Sequence, residues 1–74
     1  MKYWVGRILM KSGELITERE LLSTENSFDG VPPKMGELLL VRYRGREFSA
    51  KVVWLTYPQS ENSEHSAVLR VQEV

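Results

Sequence analysis

The sequence predicts a mainly β domain: a small barrel of about five antiparallel strands, with one short helix or helical turn near residues 18–24. Two observations point there. The stretch from Met35 to Leu55, MGELLLVRYRGREFSAKVVWL, alternates around Gly45 as a hairpin does, and both ends of the chain, KYWVGRILM at 2–10 and AVLRVQEV at 67–74, are rich in aromatic and β-branched residues.

The first of these segments reads as a strand. Lys11-Ser12-Gly13-Glu14 then supplies a glycine where a tight turn needs positive φ, and Leu15 and Ile16 begin a return strand. Thr17 followed by Glu20 is a capping box, Ile16 and Leu21 stand where a hydrophobic staple needs them, and Glu18 and Glu20 suit the positive end of a helix dipole. These features predict a short helix from Glu18 to about Thr24; the alternative continues the strand to Leu22, against poor alternation at 17–20.

Residues 23–36 gather Ser, Asn, Asp, Gly and two prolines, so an irregular connection is expected, with Phe28 tying it to the core and Val31-Pro32-Pro33 extended. In the central hairpin, an Arg44-Gly45 turn sets Tyr43 opposite Arg46, Arg42 opposite Glu47, Val41 opposite Phe48 and Leu39 opposite Ala50. A slip of one residue would break the Arg42–Glu47 pair and mix the faces. A three-residue loop, Arg44-Gly45-Arg46, remains open because a type I′ turn disfavours a non-glycine residue in its first position.

In this register one face holds Leu39, Val41, Phe48, Ala50, Val52 and Trp54. The other starts with Arg42, Arg44, Glu47, Ser49 and Lys51 and turns aliphatic at Leu38, Leu40, Val53 and Leu55. Tyr57-Pro58 ends the strand, residues 59–66 form a polar loop, and the closing strand sets Ala67, Leu69 and Val71 on one side and Val68, Arg70 and Gln72 on the other.

At 74 residues the chain is a single domain spanning 1–74, and it has no cysteine to staple it. A domain this small buries only about 60% of its unfolded surface. Oligomerisation is a common remedy, so a homo-oligomer is expected. Ten basic residues balance ten acidic ones, which removes any overall attraction to nucleic acid and leaves only local patches. The apolar runs Ile8–Met10 and Leu38–Val41 are too short to span a bilayer, so no membrane association is expected and the cytoplasm is the default compartment.

No nucleophile elbow, phosphate-binding glycine loop or paired carboxylates occur, so no catalytic, cofactor or metal role is expected. His65, the single histidine, reads as an exposed loop residue, and the acidic residues Glu14, Glu18, Glu20 and Glu25 as a solvated face. The expected function is a small non-catalytic binding module acting through protein–protein contact, including self-association, with Leu38, Leu40, Val53 and Leu55 as the contact residues. The alternative is weak nucleic-acid binding through Arg42, Arg44, Arg46 and Lys51, with Tyr43, Trp54 and Tyr57 interleaved. An aromatic cage for a cation, drawn from Trp4, Tyr43, Trp54 or Tyr57, is a further possibility. Tyr3 and Trp4 face opposite ways, so one of the two is expected outside the core.

Residues 35–74 resemble the general pattern of SH3-like small barrels, including the Tudor type: Gly36 before an apolar strand at Leu38–Tyr43, a turn at Gly45, then Phe48, Ala50 and Val52. The resemblance covers about half of the chain and implies a compact, twisted barrel that binds peptides or nucleic acids through loops and one edge. Arg44 and Arg46 stand where the Tudor pattern is richer in acidic residues, so recognition of methylated ligands is not carried over. An OB-type barrel is the alternative fold, although it carries a longer helix than this chain provides.

Overall fold

The computed structural model describes residues 2–21, 26–57 and 66–74. Six strands form: β1 (Lys2–Leu9), β2 (Leu15–Ile16), β3 (Ser27–Asp29), β4 (Leu38–Tyr43), β5 (Arg46–Thr56) and β6 (Ala67–Glu73). They make one sheet in the order β2-β1-β6-β5-β4, with β3 also paired to β1. The strand content agrees with the sequence expectation, but the topology corrects it. There are six strands rather than five, β1 and β6 run parallel, and the ladder is open between β4 and the β2/β3 side.

The β4–β5 hairpin has the register that alternation predicts, from Tyr43 opposite Arg46 down to Leu39 opposite Ala50. Its turn is the two-residue form: Arg44 has φ 52° and Gly45 φ 77°, both left-handed. For Arg44 this backbone costs roughly 1–2 kcal/mol. Its guanidinium lies 5.1 Å from the centre of the Tyr43 ring, a contact that offsets part of that cost.

Two irregularities decide which side chains face inward. The β1–β6 register shifts between Val5 and Arg7, and the β5–β6 register between Val52 and Trp54. Each adds one residue on one strand and so reverses the alternation beyond it. In β1 the extra residue is Gly6, where a Cβ would come within 2.9 Å of Val68 Cγ1. The absence of a side chain lets Val68, Trp4 and Glu18 close over that point.

In β5 the extra residue is Val53, and beyond it the two faces exchange. Leu55 falls opposite buried Leu69 and packs on the core, while Trp54 turns outward, opposite Arg70. This corrects the expectation that Trp54 shares a face with Ala50 and Val52 and that Leu55 lies on the opposite one.

The core gathers Val5 and Ile8 of β1, Ile16 of β2, Val41 of β4, Ala50 and Val52 of β5, and Leu69 and Val71 of β6, closed by Met10 and Leu21. Phe28 is the expected anchor: its ring stacks on Tyr3 at 5.2 Å. The segment around it is more regular than its composition suggests, because Ser27–Asp29 pairs with Lys2–Trp4 as β3. Of the expected helix, residues 17–21 form hydrogen-bonded turns, Glu20 N–H to Thr17 C=O and Leu21 N–H to Glu18 C=O, and residues 22–25 lie outside the described residues. No α-helix occurs among the described residues. Ile16 and Leu21, the expected staple pair, are instead both held in the core by tertiary packing.

Candidate functional site

At the opening of the sheet, backbone groups of β4 have no strand partner among the described residues. At the end of β4, Arg42 directs both its N–H and its C=O away from β5, to the side chain of Asn26: Arg42 N–H donates to Asn26 Oδ1 at 2.9 Å, and Asn26 Nδ2 donates to Arg42 C=O at 2.7 Å. A buried amide thus imitates one rung of a neighbouring strand. A second tie lies close by, where the Tyr43 hydroxyl donates to Glu20 Oε2 at 2.8 Å. This bond, more than any other influence, holds the Tyr43 phenol above its ordinary pKa of 10.0.

Because backbone groups alternate along a strand, Leu40 and Leu38 point their N–H and C=O in the same outward direction as Arg42. No strand covers them among the described residues. The two residues are 56% and 60% exposed. Beside this open half lies a cleft of about 190 Å³ lined by Phe28, Leu40, Arg42 and Glu47.

Of the four aliphatic residues expected to contact a partner, Leu38, Leu40 and Val53 are exposed, while the bulge takes Leu55 to the core. The four basic residues expected to contact nucleic acid do not form one free patch. Arg42 Nε pairs with Glu47 at 3.1 Å, and Arg46 reaches Glu73 at 3.6 Å. Arg46 also lies 5.7 Å from the Phe48 ring, and Arg44 lies over Tyr43. Lys51 stands apart from these, on the outer face opposite Gln72. Nor do the four rings of the expected cage converge: Tyr43 packs on the core, whereas Trp4 and Trp54 belong to the outer face. Tyr57 is half exposed beyond the end of β5. His65 lies outside the described residues, as do Pro58 and residues 59–64 of the expected polar loop.

Sequence reasoning missed a second cluster. Arg7 and Arg70 face each other across β1 and β6, and Arg70 falls opposite Trp54 on β5. The Arg70 guanidinium stacks 4.2 Å from the Trp54 ring centre. Gly6 was the available signal, since a glycine inside a strand often marks a bulge. Among the described residues no group of three or more acidic or histidine side chains is placed to hold a metal, and no helix is long and apolar enough to cross a membrane. Comparisons with protein families, with curated proteins and with solved structures yield no match.

Proposed function

We propose that this protein is a small non-catalytic binding module that accepts a partner strand on the open half of the β4 edge, with a second copy of the chain as the first partner. One observation carries the reading: the backbone groups of Leu38 and Leu40 point outward, unpaired by any described strand, beside two exposed leucine side chains. Added strands gain main-chain hydrogen bonds from such an edge and specificity from pockets for alternate side chains, here the cleft next to Phe28. Edge strands that stay free are commonly blunted by lysine, proline or a bulge. β4, with the sequence LLLVRY, has one charged residue, Arg42, at the end that Asn26 covers, and its open half, Leu38 to Leu40, carries no charge, proline or bulge. Antiparallel pairing of two β4 edges about a two-fold axis would set Leu38 and Leu40 of both copies against one another. The SH3-like outline belongs to the same reading, with the Asn26 and Tyr43 ties drawing the open sheet towards a barrel.

Sedimentation velocity from micromolar to millimolar concentration tests it. The expected result is a concentration-dependent dimer that disappears in Leu40→Lys, whose circular dichroism remains that of the parent. A strict monomer throughout removes self-association, and a dimer that survives Leu40→Lys removes the β4 edge as its seat.

A further inference from the structure

The outer face of the three central strands carries a different arrangement from the β4 edge. Two rows of register partners cross it: Arg7, Arg70 and Trp54 in one, Leu9, Gln72 and Lys51 in the next. Arg7 and Arg70 are like charges placed directly opposite one another, an arrangement that costs stability. Neither has a carboxylate within ion-pair distance among the described residues, in contrast to Arg42 and Arg46. Arg7 Nε–H is moreover buried without an acceptor among the described residues. A donor left unused in this way costs about 1–3 kcal/mol. An anion arriving on this face, with a small shift of the Arg7 side chain, supplies the missing acceptor.

The surroundings select among anions. Trp54 is 38% exposed beside Arg70, and Trp4 borders the same face, its Cη2 within 3.5 Å of where a Cβ on Gly6 would lie. Both tryptophans of the chain therefore flank the unpaired cations. Flat rings next to guanidinium groups suit a ligand that alternates phosphates with flat bases, whereas an acidic peptide would leave the rings without a partner. We propose that this outer face binds single-stranded nucleic acid, with Arg7, Arg70 and Lys51 contacting phosphates and Trp54 and Trp4 stacking on bases. Glu18 stands at the rim near Gly6 and sets a limit on affinity through its negative charge.

The reading is independent of the β4 edge, and the intrinsic tryptophans report on it directly. Titration with a short oligothymidylate at low salt is expected to quench the fluorescence. Three phosphate contacts give a slope of about −2 for log affinity against log salt, or roughly a 20-fold loss between about 50 and 200 mM. Arg70→Ala and Lys51→Ala should each weaken binding about fivefold or more and flatten the slope by about 0.7. Glu18→Gln should strengthen it, and Arg44→Ala should leave it unchanged. Circular dichroism of each variant checks the fold, and exposed Lys51 keeps the test decisive if Arg70→Ala fails to fold. Absence of quenching at low salt overturns the proposal, as does a loss confined to Arg44→Ala. Equal quenching by polyglutamate would show a general anion site and overturn the nucleic-acid assignment.

Discussion

Along β1 the outer edge is covered by short strands, β3 against Lys2–Trp4 and β2 against Ile8–Leu9, whereas along β4, among the described residues, a single side chain, Asn26, covers one residue and the rest has no strand partner. Both solutions satisfy backbone donors and acceptors, but they differ in reach. A strand of two or three residues brings its own side chains into the core, as Ile16 does. An asparagine brings two hydrogen bonds and stops. The comparison teaches that an edge can be closed to a partner at one residue and left available two residues further on, with no change in strand type.

Breaking the asparagine rung should have the largest effect. Asn26→Ala removes two hydrogen bonds from a site only 2% exposed and is expected to cost about 2–3 kcal/mol in urea denaturation. It should also make the two halves of the β4 edge alike and raise the tendency to associate. A variant that loses stability without gaining association would break the link between the rung and the open edge.

Phe28 belongs to β3 yet also lines the cleft beside Leu40. Phe28→Ala removes a half-buried ring stacked on Tyr3 and should cost roughly 1.5–2 kcal/mol, and by emptying one wall of that cleft it should weaken association, the opposite of Asn26→Ala. The same denaturation and sedimentation measurements decide it.

The smallest effect sharpens the second tie. Tyr43 has a raised phenol pKa in the fold, so the bond to Glu20 contributes its full stability below the unfolded value near 10 and loses it as pH rises through the folded value. Ultraviolet titration should show one tyrosine ionising above pH 10, and Glu20→Gln should move it back towards the ordinary value. An unchanged titration in that variant would separate Tyr43 from the closure.

Local alternation made much of this architecture legible in the sequence. The hairpin register, the positive-φ turn at Gly13, the anchoring role of Phe28 and the inward set Ala67, Leu69 and Val71 all follow from patterns within a few residues. What escaped depends on distant partners. The bulge at Val53 exists because β5 must match β6, so the exchange of Trp54 and Leu55 between faces leaves no mark in the hairpin itself. The Arg46–Glu73 pair joins the start of β5 to the end of β6, residues far apart in the chain, and with it the expected basic patch loses one of its free charges. Of the aliphatic contact set, Leu38 and Leu40 were legible because they lie before any bulge. Arg7 and Arg70 were not, because only the parallel pairing of β1 with β6 makes them neighbours.

That parallel pairing also governs how the molecule responds to force. The start of β1 and the end of β6 lie at opposite ends of one ladder, with Tyr3 opposite Ala67 and Leu9 opposite Gln72. Tension applied between Lys2 and Glu73 therefore loads the six register pairs together, in shear, instead of opening them one after another. The β4–β5 hairpin, pulled from its open end, unzips pair by pair. Within one small sheet, the strands that bring Arg7 and Arg70 together form its mechanical clamp, and the hairpin beside them is the part that yields.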